Sequence, residues 1–161
     1  MLPRPPRGPQ PYNMSGHTGL TMRRFETSID LAVPPARVWA VMCDIERWHE
    51  WTPSITSVQR LDDGSVGVGS RVRVKQPKLP ASVFEVIVWN PGRGFDWVTR
   101  SPGLQGLGSH AIAPIANGSR VTLSVTFSGP LSPLATFFLG GLTERYIKLE
   151  ADGLKGRAER P

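Results

Sequence analysis

Between residues 54 and 128 the chain reads as six short alternating segments, 54–61, 69–76, 82–90, 93–101, 107–116 and 118–128, each closed by turn residues. The breaks are Asp62-Asp63-Gly64, Pro77–Pro80, Asn90-Pro91-Gly92, Ser101–Gly106 and Asn117-Gly118. Joining parallel strands takes a crossover of about a dozen residues or more, and no break is that long. Hairpins are what remain, so the segments build one antiparallel sheet. A further strand leads them, in which Phe25, Thr27, Ile29, Leu31 and Val33 alternate with Glu26, Ser28, Asp30 and Ala32.

Helical periodicity is confined to three places. Pro34-Pro35 ends the first strand and suits a helix start. Val38, Trp39, Met42 and Ile45 then recur at helical spacing, which predicts a short helix over 35–43. A second short helix follows over 45–51, carrying Trp48 and Trp51 and closed by Thr52-Pro53. One long helix spans 134–157, with Leu134, Phe138, Leu142, Tyr146 and Leu149 as its apolar stripe. Gly140-Gly141 in its middle costs roughly 1 kcal/mol per glycine against alanine. Such a pair suggests close packing against a neighbour, a hinge, or a widened pocket.

Asn117-Gly118 is a preferred type I′ hairpin pair. With these two as the central turn residues, His110 faces Val125, Ile112 faces Leu123 and Pro114 faces Val121, all on one side of the sheet. Closing the Pro91-Gly92 turn sets Val88 against Phe95, Val86 against Trp97 and Phe84 against Thr99. Closing Pro77–Pro80 pairs Val74 with Phe84 and Val72 with Val86, with Arg73 opposite Glu85 on the outer face. Crossing 101–106 places Thr99 beside His110. The inner face so assembled holds Val72, Val74, Phe84, Val86, Phe95, Trp97, Ile112, Leu123, Val125, Phe127 and Ile29, with Thr27, Thr99 and His110 as its polar members.

A single helix must cover that face. With side chains it is about 10–12 Å wide, whereas six or seven strands about 4.8 Å apart are far wider. A curved sheet wrapped around one helix therefore leaves a hollow between them, and the hollow is the candidate site.

Composition narrows the classes. The 161 residues suffice for one core. Residues 1–22 are rich in proline and glycine without apolar periodicity, so a disordered tail is expected there, followed by one domain over 23–158. Those residues lack the apolar segment of a secretory signal, and no run nears the roughly 20 apolar residues of a membrane span. A soluble cytoplasmic protein without stable membrane insertion, as a monomer or weak homodimer, is expected. Of the net charge of +6, four charges come from Arg4, Arg7, Arg23 and Arg24. Elsewhere only Arg71, Arg73 and Lys75 alternate on one strand face, too little for a nucleic-acid partner. Cys43 is the only cysteine, which excludes an intramolecular disulfide. It and the scattered His17, His49 and His110 lack metal-ligand spacing, so no metal is expected. There is no Gly-x-Ser-x-Gly elbow and no phosphate-binding glycine loop leading into a helix.

Three segments carry a resemblance. They are Val33-Pro34-Pro35-Ala36-Arg37-Val38-Trp39 leading to Asp44; Trp48 to Trp51-Thr52-Pro53; and Gly108-Ser109-His110 through Gly118-Ser119-Arg120-Val121-Thr122 to Phe127-Ser128-Gly129-Pro130-Leu131. Together with the order of elements they resemble the α+β helix-grip (START-like) fold. The chain is similar in particular to the polyketide cyclase/dehydrase-like branch of the SRPBCC superfamily. The resemblance implies a curved antiparallel sheet around a long C-terminal helix, a deep apolar cavity between them, and no cofactor. Members include carriers of lipids and hydrophobic ligands as well as polyketide aromatase/cyclases.

The expected ligand is thus a hydrophobic or aromatic small molecule, lipid- or polyketide-like. Val72, Val74, Phe84, Val86, Phe95, Trp97, Ile112, Leu123, Val125, Phe138 and Leu142 would bury its body. His110, Thr99, Arg145 and Tyr146 could meet a polar end, Arg145 by pairing bidentately with a carboxylate. A neutral imidazole in an apolar pocket can hydrogen-bond a carbonyl or move a proton. His110 is accordingly the one catalytic candidate, and a cyclase or dehydratase is the enzymatic alternative to a carrier. A third reading takes Ile87, Trp89 and Val98 as an apolar patch on the outer sheet face, of the kind that marks a protein interface.

Overall fold

The computed structural model describes residues 22–160, so the tail expected over 1–22 lies, apart from Met22, outside the described residues. Seven strands form one sheet: β1 (Arg24–Leu31), β2 (Ser57–Arg60), β3 (Arg71–Lys75), β4 (Ser82–Asn90), β5 (Gly94–Ser101), β6 (Leu104–Ile115) and β7 (Gly118–Ser128). Their order across the sheet is β1-β7-β6-β5-β4-β3-β2, with every neighbouring pair antiparallel. Helix α1 (Pro35–Met42) and a 3₁₀ turn over Ile45–Glu50 follow β1, and the long helix α2 (Ser132–Ala158) closes the chain. This is the helix-grip arrangement that the resemblance implies.

Registers differ from expectation in instructive ways. Ile115 pairs with Gly118, so Ala116-Asn117 are the central turn residues, His110 faces Leu123 and Ile112 faces Val121. The slip is by an even number of positions, so each side chain keeps its face. Gly118 is needed elsewhere: a Cβ there would lie 1.9 Å from the carbonyl oxygen of Leu31, at the end of β1. In the β3–β4 hairpin Val72 faces Phe84, Val74 faces Ser82 and Arg73 faces Val83, again an even slip. Glu85, which faces Arg71, pairs instead with Arg100 at 2.8 Å.

Residues 101–106 are not a loop. Ser101 and Leu104 close a two-residue turn at Pro102-Gly103, whose second position takes Gly103 at φ 73°. Strand β6 therefore starts early, Thr99 faces Gly106, and Phe95 rather than Thr99 is the neighbour of His110. Phe84–Thr99 and Val86–Trp97 pair as expected, but a bulge at Ile87 then pairs Val88 with Asp96 and Trp89 with Phe95. An extra residue reverses the alternation beyond it. Trp89 accordingly turns inward, its ring 4.9 Å from Trp39 and 5.5 Å from Phe95. Val98 is buried too, and the outer apolar patch of Ile87, Trp89 and Val98 does not form.

Helix α2 presents Ala135, Gly140, Tyr146, Ile147, Ala151 and Leu154 to the sheet. The expected stripe is rotated: Leu134 and Phe138 are exposed. The helix passes close to β1, with the Phe25 ring against Gly140. A Cβ on Gly140 would lie 3.0 Å from Cζ of Phe25, so the glycine serves close packing.

Candidate functional site

The inner sheet face is filled at one end and hollow at the other. At the filled end Trp48, fully buried, anchors its indole N–H on the Met42 carbonyl at 3.0 Å. Its ring lies 5.2 Å from Trp97, 6.0 Å from Phe95 and 5.3 Å from His110. At the hollow end a cavity of about 570 Å³ lies between the sheet and α2. Its walls are mostly apolar and include Val74, Leu79, Phe84, Trp97, Leu104, Leu123, Val125, Phe127, Leu139, Leu142 and Ile147. Exposed lining residues Pro80, Ala81, Arg100 and Ser101 mark the mouth, between the β3–β4 loop and the β5–β6 turn. The wall is thin in side chains where Gly106 and Gly108 sit. A Cβ on Gly108 would be 2.5 Å from the Trp97 indole nitrogen, so this glycine lets Trp97 lie flat across β6.

His110 is 6% exposed and lines the cavity. Its ring stacks on Phe95, with centroids 4.4 Å apart and planes 10° apart, and meets Trp97 edge-on at 5.3 Å. Nε2 lies 2.8 Å from Oε1 of Glu150, which lines the same cavity from α2 and is itself largely buried. Opposite an ionised carboxylate, which can only accept, Nε2 would be the donor. Nδ1 is buried and has no hydrogen-bond partner among the described residues. The Tyr146 hydroxyl donates to the Pro77 carbonyl, tying α2 to the β3–β4 loop over the mouth.

Of the residues singled out from the sequence, Val74, Phe84, Trp97, Thr99, His110, Leu123, Val125, Leu142 and Tyr146 line the cavity. Val72, Val86, Phe95 and Ile112 do not: all four are buried, and Val72, Phe95 and Ile112 belong to the packed core that includes Trp48 and Met42. Phe138 and Arg145 are exposed on α2 and turned from the cavity, which follows from the helix's rotation. Thr99 lines the cavity but is not the neighbour of His110, since the 101–106 turn is tight. Glu150 was missed. It lies four residues beyond Tyr146 and eight beyond Leu142, a helical spacing that could have found it. Taking Phe138 as an inward residue directed the stripe to Leu149 instead.

Cys43 is partly buried, which raises its thiol above the ordinary range. Among the described residues no group of His, Cys, Asp and Glu side chains is placed to hold a metal ion. No helix of the described residues is long and apolar enough to cross a membrane.

A family model described as "Polyketide cyclase / dehydrase and lipid transport" matches residues 22–159. Among solved structures, the Zhui aromatase/cyclase from Streptomyces sp. R1128 is similar at 19% identity and a TM-score of 0.74, over 86% of this chain and 94% of that one. A protein from Thermus thermophilus aligns at 17% identity and a TM-score of 0.69, over 84% of this chain and 97% of its own. The di-domain aromatase/cyclase BexL aligns at 16% identity and a TM-score of 0.72, over 87% of this chain and 51% of that one. At these identities the likeness is one of fold. No curated protein sequence matches the chain at a significant level.

Proposed function

The chain belongs to the polyketide cyclase/dehydrase and lipid transport family, and from that premise we propose that it binds an apolar, ring-containing small molecule with one hydrogen-bonding end. The observation that carries this is a mostly apolar cavity of about 570 Å³ whose wall holds one buried imidazole, His110, paired with Glu150. A few polar groups on an apolar wall are what fix the polar end of a bound molecule. A volume of about 570 Å³ lies in the range that encloses a small organic ligand. Aromatic rings on the wall, Phe84 and Trp97 with centroids 4.8 Å apart and planes tilted by 41°, suit an apolar ring-containing body.

Native mass spectrometry of the purified full chain should show a co-purified small molecule. Titration with 2-naphthol and with naphthalene, followed by tryptophan fluorescence, tests the polar contact. His110→Leu should weaken naphthol by about tenfold, equivalent to roughly 1.4 kcal/mol, and leave naphthalene unchanged. Failure of both probes to bind, or equal loss of both in the variant, would overturn the reading.

A second reading is favoured by Glu150. That carboxylate holds the His110 ring through Nε2, and an imidazolium formed on taking a proton would be stabilised by the same contact. Acid/base work in an apolar pocket has its two roles filled here, as a cyclase or dehydratase acting on a polyketide-like chain would require. The Zhui protein, similar in fold, is an aromatase/cyclase, which supports this reading. Glu150→Gln separates the readings: ligand binding kept with turnover lost supports proton transfer, and unchanged behaviour supports a carrier.

A further inference from the structure

The strongest feature outside the cavity is on the outer side of α2. Leu131 is 46% exposed, Leu134 56%, Phe137 80% and Phe138 69%. Four large apolar side chains within two turns of one another make a patch that a water-facing helix has no reason to carry. It adjoins the cavity mouth. Leu131 packs over Gly103, its Cγ 3.0 Å from where a Cβ would be, beside the lining residues Ser101 and Leu104, while Leu139, next to Phe138, turns into the cavity.

Spacing continues the patch into charge. Leu131, Leu134, Phe138, Gly141, Arg145 and Lys148 follow at intervals of three and four, all exposed, so the apolar face of the first turns becomes a basic face further along. Exposed Lys78 follows Pro77, whose carbonyl the Tyr146 hydroxyl holds, and so brings a third cation to the same side. None of these three cations is in an ion pair among the described residues, whereas nearby Glu144 pairs with Arg23 and Glu85 with Arg100. Exposed Asp152, one turn past Lys148, offsets one charge and leaves the face positive.

We propose that this face docks on an anionic lipid surface, with Leu131, Leu134, Phe137 and Phe138 entering the headgroup–acyl boundary and Lys78, Arg145 and Lys148 against the anionic headgroups. Charge selects this occupant. A second copy would bring the same cations together, and residues 1–21 carry Arg4 and Arg7 and no acid, so both are repelled. An apolar patch beside a basic one is the composition of an interfacial helix. Docking does not depend on what the cavity holds, so it stands or falls apart from the proposed ligand.

Co-sedimentation of the full chain with phosphatidylcholine vesicles, with and without about 30% phosphatidylglycerol, tests it. Binding is expected to the anionic vesicles and to fall as salt rises. F137S/F138S, at positions too exposed to carry the fold, should lower partitioning by about tenfold or more. R145Q/K148Q should lower it about tenfold on anionic vesicles only. Equal affinity for both vesicle types, or undiminished binding by F137S/F138S with an unchanged near-ultraviolet spectrum, overturns the proposal. Absence of vesicle binding at low salt also overturns it and leaves the face to a soluble acidic partner. A dimer that F137S/F138S dissociates would assign the face to a second copy, and protease protection of residues 1–21 that the same variant removes would assign it to the chain's own tail.

Discussion

The two ends of the inner sheet face obey the same alternation and come to opposite states. At one end Val72, Phe95, Ile112 and Val121 are sealed in one packed core with Val38, Met42 and Trp48. At the other, Val74, Phe84, Phe127 and Leu123 look across a space of about 570 Å³ toward Leu139, Leu142 and Glu150. The difference is in what comes from above. A whole indole is pressed into the first end, its N–H satisfied by Met42. Above the second, α2 offers medium-sized side chains while its phenyl rings, Phe137 and Phe138, point away. Period-two patterning decides which side chains share a face, and says nothing about whether that face is filled.

The sharpest break of this contrast is a truncation at each end. Trp48→Ala should cost about 3–5 kcal/mol, the range for a large buried aromatic, because it empties the one side chain that fills the closed end. Leu142→Ala, on a wall that already borders open space, should cost only about 1 kcal/mol, since little packing is lost there. Chemical denaturation of the two variants measures both. Equal losses would mean that the hollow collapses and is not a standing cavity.

Enlarging side chains should reverse the ranking of harm. Leu142→Trp fills the hollow and should abolish binding of naphthol while lowering stability by less than about 1.5 kcal/mol. Gly108→Ala sets a methyl 2.5 Å from the Trp97 nitrogen, and overpacking of that kind costs about 1–3 kcal/mol. Its readout is a shifted tryptophan emission together with a lower unfolding midpoint. A stable Gly108→Ala chain with native emission would show that Trp97 is free to move.

Legibility in the sequence followed the same division. Strand existence, antiparallel order and the facing of most side chains could be read because every register error in β3–β4 and β6–β7 was by an even number of positions. Trp89 could not, because the bulge at Ile87 has no local signature and reverses all that follows. Phe138 reads as inward because a large apolar side chain suggests burial, and Arg145 because its angle lies between Leu142 and Leu149, while the helix turns Gly140 to Phe25 of β1 and leaves both exposed. The same rotation concealed Glu150, so the imidazole of His110 stood alone in the sequence and has a partner in the fold.

A smaller effect sharpens the contrast at the sheet edge, where β2, none of whose residues lines the hollow, pairs with β3. Asp62 accepts the backbone N–H of Arg71 and the Arg60 guanidinium, and these contacts, the backbone one foremost, hold its carboxyl below the usual carboxylate range. A carboxyl lowered in the fold stabilises fully above its unfolded value of about 3.9, and that contribution is lost as pH falls through the lower folded value. Asp62→Asn should therefore speed hydrogen exchange of the Arg71 amide relative to the wild type at pH 6–7, roughly two units above that unfolded value. The gap between the two proteins should close as pH falls through the lowered folded value, where the wild-type carboxyl is protonated in turn. The Trp48 indole N–H, buried at the closed end, should exchange at the same rate in both. Faster exchange of the indole in Asp62→Asn would show the edge hairpin and the closed end opening as one unit, and the division into a sealed half and a hollow half would then hold for packing but not for fluctuations.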